Sequence, residues 1–251
     1  MTPASRDHEL AASLGQVRDR IDRACADAAR DPSELTLIAV TKLFPAADVA
    51  RLLALGVRDI AENRDQEAGA KSAELAELLA SDVLAELTVH FVGQVQTNKA
   101  RSVVRYADVV QSVDRPKLVG ALDRAVGAAL DAGERTTYLD VTIQLDLEEG
   151  ERAGRGGVAP SEASELADLV ADSTHLALRG VMAVAPPDLG TAGTRAAFDR
   201  VSEIGRAIAN VHPAAGWRSM GMSGDFEQAI RAGATHLRVG GAILGSRPPP
   251  R

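Results

Sequence analysis

Lysine is the basic side chain that this sequence uses most sparingly. Only four of the 28 Lys and Arg residues are lysines, namely Lys42, Lys71, Lys99 and Lys117. An amine can form a Schiff base with a carbonyl compound, whereas a guanidinium keeps its proton and cannot. A lysine retained in a chain that otherwise uses arginine is therefore a candidate for chemistry that needs an amine.

The four lysines differ in their predicted surroundings. Lys42 directly follows the apolar run at 35–41, so it is expected at the end of a strand. Partial desolvation there lowers the pKa of an ammonium and makes it a nucleophile toward carbonyls; the alternative is an ordinary strand-end lysine. Lys71, within a polar helix, and Lys117, in the first turn of another, are predicted to be solvated. Lys99 follows the third strand closely enough to approach Lys42.

Two glycine-containing segments could bind an anion. The segment Ser-Met-Gly-Met-Ser-Gly-Asp at 219–225 precedes a predicted helix, where backbone amides and two hydroxyls favour phosphate. Arg238, Gly240 and Gly241 end the last predicted strand, and the glycines permit close approach of a ligand to the backbone. Both segments also fit a simpler interpretation as turn glycines and a helix cap.

A third polar segment, at 89–99, contains His90 and several amides. A lone histidine in a strand is more often a hydrogen-bonded structural residue than a catalyst. A second histidine at ligand spacing is missing from the sequence, so no metal site is expected. Asn63 follows Glu62 at the end of the second predicted strand and points to the same end as Lys42.

Strand-like and helix-like segments alternate along the chain, which predicts a (β/α)8 TIM barrel. We expect one domain over residues 1–251, with an N-terminal helix at 1–31 and the barrel at 35–245. The helix should cover the barrel beside the first and eighth strands. The alternative is an open, doubly wound parallel sheet. The predicted strands are 35–41, 57–61, 87–92, 109–113, 137–145, 176–184, 217–220 and 235–239. In such barrels the active site lies at the carboxyl ends of the strands, and the loops after strands seven and eight often bind phosphate.

The composition excludes several classes of function. A net charge of −7 without a basic block disfavours binding of nucleic acid. Neither a membrane-spanning apolar run nor the apolar core of a signal peptide is found in the sequence. A single cysteine, Cys25, rules out an internal disulfide and fits a reducing cytoplasm.

A Schiff-base lysine and a phosphate site in one barrel fit two ligands. One is a sugar phosphate, as in a class I aldolase, and the other is pyridoxal 5'-phosphate (PLP). An aldolase also needs a carboxylate or tyrosine beside the lysine, and such barrels usually carry that lysine on a later strand.

Several motifs occur in an order that resembles the pyridoxal phosphate homeostasis protein family (YggS/PROSC) over residues 35–245. They are Ala39-Val40-Thr41-Lys42, Glu62-Asn63, Gln66-Glu67, His90-Phe91-Val92-Gly93, Gln96-Thr97-Asn98-Lys99, Ser112-Val113-Asp114-Arg115, Gly180-Val181-Met182, the segment 219–227, Gly233-Ala234-Thr235, Arg238 and Gly245. The resemblance implies the barrel of the alanine racemase N-terminal domain.

The same resemblance implies a set of cofactor contacts. Lys42 would carry PLP as an aldimine, Arg238 would face the pyridine nitrogen, and Asn63 and His90 would line the ring pocket. The phosphate would be held by Ser219, Met220, Gly221, Ser223, Gly240 and Gly241. The sequence departs from the family at Val89, usually aromatic, at Gly241, usually a hydroxyl residue, and at Leu244, commonly phenylalanine.

The resemblance implies a PLP-binding protein without established catalytic activity that acts in intracellular vitamin B6 and amino-acid homeostasis. The alternative is a PLP-dependent amino-acid racemase or decarboxylase. Enzymes of that kind add a second β domain with a catalytic tyrosine or cysteine, and we expect none here. The only tyrosines are Tyr106 and Tyr138, and Tyr138 is predicted near the start of its strand, at the opposite end from Lys42. The only cysteine, Cys25, is predicted in the N-terminal helix. A monomer is expected, with PLP-dependent enzymes as candidate recipients of the cofactor.

Overall fold

The computed structural model describes residues 3–148 and 156–246. Over these residues, eight parallel strands pair in chain order and close into a barrel, because β8 pairs with β1. The strands are β1 (Thr36–Val40), β2 (Asp59–Glu62), β3 (Thr88–Phe91), β4 (Val109–Val113), β5 (Leu139–Leu145), β6 (Leu176–Ala183), β7 (Trp217–Ser219) and β8 (His236–Val239). The predicted (β/α)8 barrel is confirmed, and its closure rules out the open sheet. Part of the predicted barrel range, 149–155, lies outside the described residues.

Helices cover the outside of the barrel. They are α1 (Pro3–Asp27), α2 (Ala46–Ala54), α3 (Asp65–Leu78), α4 (Ser81–Leu84), α5 (Ala100–Val103), α6 (Pro116–Asp131), α7 (Ala163–Ala171), α8 (Gly190–Val211), α9 (Phe226–Arg231) and α10 (Gly241–Leu244). Apolar residues at spacings of three and four form the buried face of each long helix, as with Leu118, Leu122 and Val126 of α6. In the described part of the chain, no helix is both long and apolar enough to cross a bilayer.

The N-terminal helix α1 packs against α2, α9 and α10, the helices that flank β1 and β8. Its apolar face is buried at Leu10, Leu14 and Val17. Arg6 reaches Asp48 of α2 at 2.7 Å. The predicted place of this helix beside the first and eighth strands is therefore correct.

Helix α3 holds the segment after β1 from two sides. Lys71 Nζ donates to the carbonyl oxygen of Thr41 at 2.8 Å, and the Glu67 carboxylate accepts a hydrogen bond from the N–H of Leu43. Leu43 has a left-handed φ of 69°, which a branched residue rarely adopts unless its surroundings impose it. The backbone of Lys42 lies between these two contacts and is fixed by both.

The prediction that Lys71 is solvated is wrong, because its side chain is only 6% exposed. Lys71 occupies the same helix face as the buried residues Ala68 and Leu75, at spacings of three and four. It therefore takes a core position on a helix whose other residues are mostly polar, and it needs a polar partner there.

That partner is Glu62, at the end of β2. Its Oε1 accepts hydrogen bonds from Lys71 Nζ at 2.5 Å and from Thr41 Oγ1 at 2.6 Å. Its Oε2 has no hydrogen-bond partner among the described residues. Burial raises the pKa of Glu62 above its ordinary value, and the ammonium of Lys71 opposes this shift. The charge of Glu62 is thus tolerated only because Lys71 is present.

Replacing Lys71 by methionine removes the cation and keeps most of the apolar volume. We expect Lys71→Met to lose about 3–5 kcal/mol of unfolding free energy at pH 8, because breaking a buried ion pair leaves an uncompensated charge. Urea denaturation followed by circular dichroism measures this loss. The control is Lys117→Met, at an exposed position of α6, which should change stability by no more than about 0.5 kcal/mol.

The stability deficit of Lys71→Met should shrink as the pH falls. Without the ammonium, the pKa of Glu62 rises further in the folded state. In the unfolded chain the pKa of Glu62 stays at about 4.3. Between these two values the folded variant binds a proton that the unfolded chain does not, so its stability falls as the pH rises through that range. Equal deficits at pH 5 and pH 8 would show that Lys71 does not compensate the charge of Glu62.

Candidate functional site

Lys42 lies two residues beyond the end of β1, at the carboxyl end of the barrel, and is partly buried. Val40 pairs with Ala61 of β2, so the same register brings Lys42 level with Asn63. Gly240, after β8, packs against Val40, and a Cβ built on it would lie 3.3 Å from the Val40 carbonyl oxygen. The structure thus brings the predicted lysine to one end of the barrel with Asn63 and Gly240.

Asn63 presents a polar atom that the protein leaves unsatisfied. Its side-chain Oδ1 is buried and has no hydrogen-bond partner among the described residues. The loop after β3 packs closely against the Asn63 backbone, since a Cβ on Gly93 would lie 2.1 Å from the Asn63 carbonyl oxygen. A buried acceptor without a donor costs about 1–3 kcal/mol. A ligand that donates a hydrogen bond here would recover that cost.

Arg238 is a buried cation inside the barrel. Its guanidinium donates to Ser219 Oγ at 2.7 Å and to the carbonyl oxygen of Ala183 at 2.8 Å. Burial lowers its pKa to about 10, and the charge of Asp225 opposes this effect. Arg238 is therefore still cationic at neutral pH. The hydrogen-bond partners of its guanidinium among the described residues are neutral, the Ser219 hydroxyl and the Ala183 carbonyl oxygen, so its charge can serve a ligand.

The loop after β7 is joined both to β8 and to the segment that follows β8. The N–H of Arg238 donates to the carbonyl oxygen of Gly221 at 2.9 Å, and the N–H of Ala242 donates to Ser223 Oγ at 3.3 Å. Gly221 has a φ of 91°, and a Cβ on it would lie 2.6 Å from Ala229 of α9. Only glycine permits this approach of the loop to α9.

The structure gathers the six residues predicted to bind phosphate, but with different environments. A Cβ on Gly241 would meet no atom within 4 Å, so the backbone there borders open space. The Ser223 hydroxyl accepts one hydrogen bond and can still donate its own proton. Ser219 is buried, and its hydroxyl is occupied by Arg238 and Gln111. The phosphate role of these residues, including Met220 and Gly240, stays a prediction.

His90 lies deeper in the barrel than Lys42. Its Nε2 is 3.0 Å from Oδ1 of Asp59, the first residue of β2, and its Nδ1 is 2.9 Å from Nε2 of Gln111. Both ring nitrogens thus have protein partners, and the ring is fully buried. This geometry favours the structural role; a contact of His90 with a ligand stays a prediction.

The remaining candidates have other surroundings. Lys99 pairs with Asp65 at 3.4 Å and lines a cavity together with Asn63 and Glu67. The Tyr106 hydroxyl donates to the same carboxylate at 3.2 Å. Tyr138 lines a cavity of about 840 Å³ at the amino end of the barrel, and Cys25 is buried in α1. The position of Tyr138 agrees with the expectation that it stands at the opposite end from Lys42, and Cys25 lies in the N-terminal helix as expected, whereas the Tyr106 hydroxyl reaches the first residue of α3.

Sequence reasoning missed three residues around this site. Glu67 and Lys71 fix the backbone beside Lys42, and the spacing of Lys71 from Ala68 and Leu75 could have indicated its burial. Gln111 joins His90 to Ser219. A contact between strands that are not neighbours leaves no signal in a single sequence.

Three comparisons place the chain among known proteins. The family model for the N-terminal domain of alanine racemase matches residues 13–248. The pyridoxal phosphate homeostasis protein of Mycobacterium leprae is 42% identical over 245 residues, which cover 96% of this chain and 93% of that protein. The Escherichia coli K12 protein of the same name is 34% identical over 247 residues, covering 96% of this chain and 97% of that protein.

A solved structure agrees with these relatives. PipY of Synechococcus elongatus PCC7942, determined with PLP bound, matches with a TM-score of 0.77 and 32% identity, covering 94% of this chain and 100% of that one. The matches extend over almost the whole chain and include the strand ends that carry Lys42, Asn63 and Arg238. The chain belongs to the pyridoxal phosphate homeostasis protein family, and its barrel is an alanine racemase N-terminal domain.

Proposed function

We propose that this protein binds PLP covalently through Lys42 and holds it as a carrier or regulator in vitamin B6 and amino-acid homeostasis, without turning over amino acids. The observation that carries the proposal is the position of Lys42, held on both sides by α3 at the same end of the barrel as the loops that border Arg238. The PLP in the related PipY structure supports it.

The residues at this end of the barrel fit PLP chemically. The unpartnered Oδ1 of Asn63 needs a donor, and PLP has a ring hydroxyl. Arg238 is a buried donor and a cation, and PLP has a ring nitrogen that accepts hydrogen bonds. The joined loops after β7 and β8 offer backbone amides and the Ser223 hydroxyl, and PLP has a phosphate.

Each residue then has a defined task. Lys42 Nζ would bond to the aldehyde carbon. Hydrogen bonds of Glu67 and Lys71 with the neighbouring residues fix the backbone of Lys42. Arg238 would donate to the ring nitrogen, and Asn63 would accept from the ring hydroxyl. PLP, when bound, supplies an aldehyde that exchanges between amines and a ring that withdraws electrons.

Arg238 also explains why PLP bound in this site would be a weak catalyst. A permanent cation against the ring nitrogen disfavours protonation of that nitrogen, because like charges repel in a shielded site. The ring then withdraws electrons less strongly. Lys42 would be a general base beside the aldehyde once its amine is released, whereas Tyr138 lies at the amino end of the barrel and Cys25 in α1. The reaction that this site still supports is the exchange of PLP between Lys42 and free amines, which suits a carrier.

Reduction with borohydride should fix PLP to Lys42 and to no other lysine. We expect peptide mapping of the PLP-loaded, reduced protein to find the label on Lys42, and we expect Lys42→Ala and Lys42→Arg to lose it, because neither side chain provides an amine. The matched control is Lys99→Arg, at a partly exposed residue that pairs with Asp65; it should keep the full label. A label on Lys99 in a protein whose Lys42 is unmodified would refute the assignment.

The PLP-loaded protein should not turn over amino acids. A general acid–base pair contributes about 10²–10⁴-fold to such reactions, and we infer that Lys42 has no positioned second member of such a pair among the described residues. We expect L- and D-alanine in deuterated water to exchange the Cα proton no faster than with the same concentration of free PLP. Exchange or racemisation at about 1 s⁻¹ or faster, an ordinary enzymatic rate, would instead favour a racemase.

A further inference from the structure

Five side chains form a continuous hydrogen-bonded chain through the barrel. Arg238 Nη1 lies 2.7 Å from Ser219 Oγ, which lies 2.7 Å from Gln111 Oε1. Gln111 Nε2 lies 2.9 Å from His90 Nδ1, and His90 Nε2 lies 3.0 Å from Asp59 Oδ1. Gln111 on β4 and Ser219 on β7 belong to strands that do not pair, so the chain crosses the barrel interior.

The two ends of this chain fix its direction. Arg238 can only donate, and the Asp59 carboxylate can only accept. A neutral His90 that donates from Nε2 to Asp59 must accept at Nδ1, so Gln111 turns its NH₂ group toward the ring. The Gln111 carbonyl then faces Ser219, which donates to it and accepts from Arg238. Every bond donates in the same sense, from the cation to the carboxylate.

The three middle members of this chain are shielded from bulk water. Gln111, Ser219 and His90 are each fully buried. Gln111 bonds through its amide nitrogen on one side and through its amide oxygen on the other. Exchanging these two atoms would break both bonds at once. Gln111 therefore sets the orientation of the hydroxyl that Arg238 contacts.

We propose that Gln111 is a positioning residue. It is the central link of the hydrogen-bonded chain from Arg238 to Asp59, in which every bond donates in the same direction. Through this chain Gln111 fixes the orientation in which the Arg238 guanidinium meets a ligand at the carboxyl end of the barrel. The effect on PLP rests on the proposed function. The direction of the chain does not, because it is a property of the protein alone. Asp59, at the other end, is partly exposed and lines the cavity at the amino end of the barrel.

The ¹⁵N chemical shifts of the His90 ring test the direction of the chain in the protein without PLP. They are assigned by comparison with His90→Asn. We expect Nε2 to be protonated and Nδ1 unprotonated. In Gln111→Glu, a carboxylate replaces the NH₂ group that faces Nδ1, and we expect both ring nitrogens to become protonated between two carboxylates. A proton on Nδ1 in the native protein would overturn the proposal, whether or not the protein binds PLP.

The PLP dissociation constant and the absorbance band of bound PLP test the positioning role. Gln111→Leu should weaken PLP binding about tenfold, as expected when a hydrogen bond to a charged group is misplaced, and should shift the band, while borohydride still labels Lys42. Gln111→Glu keeps an acceptor for Ser219 and should restore affinity to within about threefold of the native value.

Thr142→Val is the matched control. The Thr142 hydroxyl donates to the backbone carbonyl of Gln111 at 3.0 Å, so its loss removes a buried hydrogen bond at the same residue and leaves the chain intact. We expect native PLP affinity and native His90 shifts. If Thr142→Val and Gln111→Leu weaken binding equally, or if neither does, Gln111 does not position Arg238. Native protein that binds no PLP would refute the proposed function, and the His90 shifts would still decide the direction of the chain.

Discussion

Arg238 carries its charge in a barrel interior from which water is excluded, and its N–H groups must find acceptors there. The cost of removing a guanidinium from water is large, and unpaired charges are avoided in protein cores. The barrel meets this need with a carbonyl oxygen from the end of β6 and a hydroxyl from β7. The polar residues behind that hydroxyl, the buried Gln111 and His90 and the partly exposed Asp59, follow from the same requirement.

Burial of this cation also determines which charge the site favours in a ligand. Burial lowers the pKa of Arg238 but not to the range in which it would lose its proton at neutral pH. The site therefore favours a neutral acceptor over a second cation. His236, stacked on Trp217 with ring centroids 4.2 Å apart, has a pKa that burial lowers to about 3. It adds no competing positive charge beneath the guanidinium at neutral pH.

The barrel could be predicted from the sequence because short strand-like segments alternate with helix-like segments along the chain. Lys42 was found in the same way, since it directly follows the first strand-like segment. The burial of Lys71 was not predicted, because the polar residues of α3 outweigh the spacing of Ala68, Lys71 and Leu75. Whether a lysine faces the barrel or the solvent depends on which face of the helix the strands cover.

The polar interior could not be predicted for a different reason. The hydrogen-bond partners of His90 come from β2 and β4. The Ser219 hydroxyl faces Gln111 from across the barrel, and its role at the phosphate stays a prediction. Contacts between distant strands depend on the barrel register, which periodicity and spacing within one segment do not specify.

The hold of α3 on the Lys42 segment has a consequence for the order of events during synthesis on the ribosome. A nascent chain that has grown only to the end of β2 contains Lys42 but neither Glu67 nor Lys71. Arg238 emerges later still, with β8, the last strand in chain order. The contacts that fix the Lys42 backbone and the buried cation of Arg238 can therefore coexist only after β8 has been synthesised.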